Sequence, residues 1–163
     1  MTKEFHTGTL KKSIRIYTAP DKAWNKLSKI AELHWLDGIN SSKFLSEKTR
    51  GVGTIRRISF LDGTIVKEIV VGWKPKNYFS YIAVSGLPLR GYHATISIIN
   101  KKNKQVNVEW ESFFSSKQMT NDEFRSFFMR LSNFYTESLK NLKNSQKNNY
   151  FCSTMIFGFG SPG

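Results

Sequence analysis

The sequence predicts an α+β fold: an antiparallel sheet of about seven strands that cradles one long C-terminal helix, with two short helices after the first strand. Three observations carry this. The stretch "TNDEFRSFFMRLSNFYTESLKNLK" places Phe124, Phe127, Phe128, Leu131, Phe134, Tyr135, Leu139 and Leu142 at helical spacing, which makes one wide apolar face that must lie on something large and apolar. About six strand-like runs precede it in series rather than alternating with helices, which argues against a doubly wound sheet. Within that series, "TIRRISFLDGTIVKEIVVGW" reads as two strands around a tight turn.

The elements follow in order. "LKKSIRIYTA" spaces Ile14, Ile16 and Ala19 for a first strand. In "PDKAWNKLSKIAELHWL", Pro20 and Asp21 suit a helix entrance. Trp24, Leu27 and Ile30 then share one helical face, and Leu33, Trp35 and Leu36 suggest a second short helix closed near Asp37-Gly38. "SSKFLSEK" is a weak strand. Gly51-Val52-Gly53 is a turn, because it lacks the lysine of a phosphate loop and the spacing of a dinucleotide fingerprint. After the hairpin come "NYFSYIAVSG" and "GYHATISIINKKNKQVNVEWESFFSS", which supply three more strands with a turn at Lys101 to Lys104. Thr120-x-x-Glu123 is a capping-box opening for the long helix, about 24 residues and roughly 36 Å in length.

A chain of 163 residues, 39% hydrophobic and 14% aromatic, fits one globular domain with its own core. No run approaches the ~18 apolar residues of a membrane span. "MTKEFHTGTLKKSIRIY" has no continuous apolar segment of the secretory type. The lone Cys152 makes no internal disulfide. Together these favour a cytoplasmic protein. The net charge of +13 raises nucleic acid or anionic membrane as partners. The cations are dispersed from Lys3 to Lys147 in short clusters (Lys11-Lys12, Arg56-Arg57, Lys101-Lys102), with no arginine-rich arm. A well-solvated surface is the favoured reading, and nucleic acid or membrane is kept as the alternative.

The hairpin poses the functional question, because Arg56, Arg57, Lys67 and Glu68 stand among Ile58, Phe60, Val66 and Val70. A three-residue Leu61-Asp62-Gly63 loop pairs Phe60 with Thr64, Ile58 with Val66 and Arg56 with Glu68. The other face then opposes Arg57 and Lys67, like charges that must lie in water. Arg56 and Glu68 therefore turn inward, beneath the long helix. A two-residue Asp62-Gly63 turn would instead oppose Arg57 and Glu68 and undo this placement. Two charges in a dry interior cost several kcal/mol per ion; a hydrated or ligand-filled cavity avoids much of that cost. A buried pair that merely sets strand register is the competing reading.

The order of elements, with "TAPDKAWNKLSKIAELHWLDGI", "GVGTIRRISFLDGTIVKEIV", "YIAVSGLPLRGYHATI", "VEWESFF" and the terminal helix, resembles the START/Bet v 1-like (SRPBCC) superfamily of helix-grip folds. Within it, the polyketide cyclase/dehydrase and lipid-transport family is the nearest resemblance, over roughly Leu10 to Lys143. The resemblance implies a cavity between a curved sheet and the long helix. It implies that Arg56 and Glu68 form a cavity-facing polar pair. Tyr81 and Tyr92 would line the walls beside Ile58, which the hairpin register already turns inward; Glu111 would add a second carboxylate, and Phe127, Leu131 and Tyr135 would form the helix's ligand-facing stripe. Gly86 to Gly91 would lie at the mouth. The short hairpin loop lacks the proline-bearing gate of the plant hormone receptors in this superfamily. Alternation in "VNVEWESF" points the other way for Glu111, setting Val106, Val108 and Trp110 on one face with Glu109 and Glu111 in water.

The expected partner is a small hydrophobic, polyketide- or lipid-like molecule. If chemistry occurs, Glu68 is the candidate base, Arg56 the candidate anion or enolate stabiliser, and Tyr81 or Tyr92 a donor. No cofactor is expected. No metal is expected either, since His34 and His93 have no ligand partner at suitable spacing, and alternation turns His93 away from the cavity. Nothing in the sequence indicates an oligomeric state. The domain is expected over residues 1–145. Residues 146–163 form a tail in which Lys147-Asn148-Asn149 breaks the helix pattern. Its apolar run Tyr150 to Phe157 either docks on a sheet edge or a neighbouring chain, shielding Cys152, or stays free.

Overall fold

The computed structural model describes the backbone of residues 1–158 and the side chains of residues 1–146. Seven strands and two helices follow one another as β1 (Thr7–Ile16), α1 (Pro20–Leu27), β2 (Ile39–Phe44), β3 (Ile55–Phe60), β4 (Ile65–Lys74), β5 (Tyr78–Ser85), β6 (Leu89–Lys102), β7 (Gln105–Ser116) and α2 (Asn121–Gly158). The strands make one antiparallel sheet in the order β1-β7-β6-β5-β4-β3-β2. Register shifts between Val70 and Gly72 in β4 and between Leu89 and Gly91 in β6 interrupt the ladder, and such bulges bend a strand and add twist. Helix α2 rests on β1 and β7, and α1 on β6 and β7.

The β3–β4 hairpin has the three-residue loop. Phe60 N–H donates to Thr64 O at 2.8 Å, Gly63 N–H donates to Phe60 O at 3.0 Å, and Gly63 takes φ +90°. The register is Arg56 opposite Glu68, Arg57 opposite Lys67 and Ile58 opposite Val66. Lys43 of β2 extends the outer row, opposite Arg57. Lys67 is exposed, whereas Arg57 is half-buried between its neighbours rather than free in solvent.

The second short helix is absent. Between α1 and β2 the chain makes single turns, with Glu32 N–H to Lys29 O at 2.9 Å, Leu36 N–H to Leu33 O at 3.0 Å and Ile39 N–H to Leu36 O at 3.3 Å. Ile30, Leu33, Trp35 and Leu36 are all buried, yet their steps of three, two and one residues do not keep to one helical face. Individual anchoring of these side chains replaces a nucleus that a segment this short cannot sustain.

Helix α2 opens as the capping pattern indicates, with Glu123 N–H donating to Thr120 Oγ1 at 3.1 Å. Phe127, Leu131, Tyr135, Leu139 and Leu142 form its buried stripe. It does not stop at Lys147-Asn148-Asn149: the helical backbone continues to Gly158. Lysine and asparagine cost well under about 1 kcal/mol each in a helix already nucleated, and no glycine or proline intervenes before Gly158. Through Gly158 the tail's backbone is therefore helical, not a strand added to the sheet. The docking of Tyr150 to Phe157 and the shielding of Cys152 concern side chains outside the described residues.

Candidate ligand pocket

Alternation along β3 to β7 sends one set of side chains toward α2. From β3 and β4 come Arg56, Ile58, Phe60, Val66 and Glu68; from β5, β6 and β7 come Tyr81, Tyr92, Ile96 and Trp110. Phe127, Arg130, Leu131 and Phe134 of α2 face them, and together they line a pocket of about 650 Å³. The turn residues Leu33, Trp35, Leu36, Asp37 and Gly38, the hairpin tip Leu61-Asp62 and the β5–β6 connection Gly86-Leu87-Pro88 complete the wall. This volume lies within the roughly 300–1,000 Å³ of small-molecule sites.

Arg56 and Glu68 are the polar feature of this wall. They are 3% and 5% exposed, deep enough for their pairing to matter. Nη2 of Arg56 stands 3.5 Å from Oε1 of Glu68, and Nη1 donates to Ile30 O at 2.7 Å. The guanidinium carbon lies 4.8 Å from the Tyr81 ring centroid and 5.8 Å from that of Phe79, so π-faces stabilise the charge on one side. Nε of Arg56 is buried with no hydrogen-bond partner. Burial raises the pKa of Glu68, and the Arg56 charge opposes that rise without cancelling it.

Beside the ion pair lies a set of hydroxyls. Trp110 Nε1–H donates to Tyr81 Oη at 3.0 Å, and the hydroxyls of Tyr92 and Tyr135 share a hydrogen bond. Burial pushes all three phenols up, so each stays protonated at ordinary pH. Tyr135 is fully buried and stacks on Trp110 with centroids 3.8 Å apart and planes 8° from parallel.

Seven of the nine residues expected at a ligand site lie on this wall: Arg56, Ile58, Glu68, Tyr81, Tyr92, Phe127 and Leu131. Two do not. Glu111 lies on the outer face of β7 with its carboxylate 3.7 Å from Lys11 Nζ; strand alternation decides its side, and the position implied by resemblance is wrong. Tyr135 lies behind Trp110 and reaches the pocket through the Tyr92 hydroxyl rather than by its own surface. His93 faces outward and is exposed. Among the described residues no group of three or more His, Cys, Asp or Glu could hold a metal ion. No helix among them is long and apolar enough to cross a membrane.

Sequence reasoning missed several wall residues. Trp110 was within reach, because it shares the inward face of Val106 and Val108. Phe134 belongs to the recognised helical stripe but lies at its edge, against Phe60 at 5.7 Å. Arg130 carries no hydrophobic signal; it follows from helical geometry, one turn from Phe127 and Phe134.

A curved antiparallel sheet gripping a C-terminal helix over a pocket with an internal charge pair defines a helix-grip protein. The chain belongs to the polyketide cyclase / dehydrase and lipid transport family, whose model matches residues 7–146. None of the curated proteins matches it. Among solved structures it resembles the protein XoxI of Bacillus cereus, with 25% identity, 85% of this chain and 94% of that one covered, and a TM-score of 0.71. It also resembles the Zhui aromatase/cyclase of a Streptomyces species, with 11% identity, 89% and 96% covered, and a TM-score of 0.76. A START superfamily protein of Mycobacterium smegmatis matches with 9% identity, 85% and 98% covered, and a TM-score of 0.69. The last two similarities show the fold alone.

Proposed function

We propose that the chain binds one small, largely apolar molecule, polyketide- or lipid-like, between the sheet and α2. The observation that carries this is the 650 Å³ pocket with apolar and aromatic walls and a single buried ion pair at Arg56 and Glu68. Apolar walls supply affinity, and a few convergent polar groups supply orientation. Family membership supports the same class of ligand. The wall residues Arg56, Ile58, Glu68, Tyr81, Tyr92, Phe127 and Leu131 are the proposed contacts. Binding of nucleic acid or anionic membrane has no support from the family or the fold.

One observation favours acid–base chemistry as a second reading. Burial raises the pKa of Glu68, which makes its carboxylate a stronger base than a solvent-exposed one. Glu68 would then act as base on a held substrate while Arg56 stabilises the oxyanion that forms.

Native mass spectrometry and solvent extraction of the purified protein test the binding reading. The expected result is one co-purifying apolar compound at close to one per chain, absent after extraction. Wild-type protein that carries nothing and takes up no apolar naphthalene probe in titration would refute it.

A further inference from the structure

The face of the sheet turned away from α2 carries a row of cations. Lys43 of β2 stands opposite Arg57 of β3, and Arg57 stands opposite Lys67 of β4. Neighbouring strands lie about 4.8 Å apart, so like charges face one another twice in succession, which destabilises a sheet. None of the three forms an ion pair among the described residues. Lys43 and Lys67 are exposed, and Arg57 is half-buried between them.

An apolar row runs beside these cations. Leu45 N–H donates to Ile55 O at 2.9 Å, and Ile55, Ile69 and Ile82 stand opposite one another in turn. The isoleucines are half-buried, and Leu45 is 44% exposed. On the other side of the cations lie Ile65 and Val84, the latter being the extra residue at the β4–β5 bulge beside Lys67; both are exposed. The cations thus sit inside an apolar surface, and apolar side chains around a half-buried arginine mark a protein interaction site.

An occupant of this face must cover the isoleucines and neutralise the cations together. A phosphate backbone offers no aliphatic side chains for the first task. Half-buried isoleucines in a sheet present little side chain to insert into a bilayer. A second copy of this chain brings 25 Lys and Arg against 12 Asp and Glu, mainly like charge. An α-helix laid across the strands meets both demands. Its turns rise about 5.4 Å, close to the roughly 4.8 Å between strands. Acids one turn apart therefore meet successive cations, while apolar residues beside them cover the isoleucines. The four strands β2 to β5 span about 14 Å, the length of ~10 helical residues.

We infer that the outer face of β2 to β5 docks an acidic amphipathic helix of a partner protein, with carboxylates on Lys43, Arg57 and Lys67 and aliphatic side chains on Ile55, Ile69 and Ile82. This face lies across the sheet from the pocket, so the inference stands apart from the binding reading above.

The test uses three fluorescein-labelled helical peptides of about 14 residues, titrated with the full chain and read by fluorescence anisotropy. The first carries leucines on one face with glutamates along their edge, the second replaces those glutamates by lysine, and the third replaces the leucines by serine. The expected result is binding of the first at least about tenfold tighter than of the other two, with a roughly three- to tenfold loss in the Arg57→Gln, Lys67→Gln double variant. No binding of the first peptide, equal binding of the serine peptide, or unchanged affinity in the double variant would overturn the inference. Phosphatidylglycerol vesicles or a single-stranded oligonucleotide bound more tightly than the peptide, with that binding lost in the double variant, would assign the face to another class of partner and overturn it too. Lys67→Glu gives a second readout without any peptide. It sets a carboxylate opposite Arg57, so the melting temperature should rise by about 1–4 °C while binding of the first peptide is lost. A lower melting temperature would show that the cation row is already compensated within the chain and would overturn the inference.

Discussion

Replacing Glu68 by alanine strands a cation. The Arg56 guanidinium is 3% exposed, and in the variant it retains one hydrogen bond, to Ile30 O, and the faces of Tyr81 and Phe79. Breaking a buried pair by removing one partner costs about 3–5 kcal/mol. Two features reduce this: the aromatic faces stabilise a desolvated cation by up to about 2 kcal/mol, and the adjoining pocket has room for water near the freed guanidinium. The expected loss is about 2–3 kcal/mol. For a chain of this length that lowers the melting temperature by roughly 4–12 °C, at about 2–4 °C per kcal/mol. Arg56→Met should cost less, since the carboxylate left behind can neutralise itself by taking a proton, as its raised pKa already indicates. Calorimetric melts at pH 7 of wild type, both single variants and the double variant measure the asymmetry and the coupling. A Glu68→Ala protein that melts within about 1 °C of wild type, or an Arg56→Met protein that is the less stable of the two, would contradict a stranded buried cation.

Two further outcomes are expected. The folded pKa of Glu68 lies above its ordinary value of 4.5, so the folded state binds this proton more tightly than the unfolded one. The stabilisation from that proton is full below 4.5 and is lost as pH rises through the folded value. Wild-type stability should therefore fall relative to Glu68→Gln as pH rises from about 4.5, as read from urea midpoints; parallel pH profiles would contradict the raised pKa. At the pocket rim, Gly86 takes φ +101°, and a Cβ there would lie 2.0 Å from Ile65 O. Gly86→Ala should destabilise by roughly 2–5 kcal/mol from left-handed strain and overpacking combined, and a loss below about 1 kcal/mol in chemical denaturation would show that the loop simply rearranges.

Legibility in the sequence followed the strength of local constraint. The hairpin register was readable because Leu61-Asp62-Gly63 specifies a turn and because Arg57 and Lys67 repel each other; these two facts together turned Arg56 and Glu68 inward. The start of α2 was readable from Thr120 and Glu123. Its end was not, since Lys147 to Asn149 resist a helix only weakly and no glycine or proline stops it before Gly158. The segment from Leu33 to Leu36 shows apolar residues without a clean period, and tertiary anchoring there outweighs local preference. Glu111 is instructive in the opposite sense: the alternation of Trp110 and Glu111 along one strand was the better guide, and family resemblance misplaced the carboxylate. Tyr135 belongs to the apolar stripe as expected, but no sequence pattern distinguishes a side chain stacked behind Trp110 from one on the pocket surface.

The space between the sheet and α2 is the proposed binding site. The most direct measurement is the affinity of a fluorescent apolar probe, an anilinonaphthalene dye, for wild type and for Leu131→Trp. Leu131 lies on the pocket wall and is 9% exposed, so an indole there projects into empty volume rather than into a packed core. Binding by the wild type and a loss of at least about tenfold in a Leu131→Trp protein with an unchanged far-UV circular dichroism spectrum is the predicted result. Unchanged probe affinity in that folded variant would contradict it.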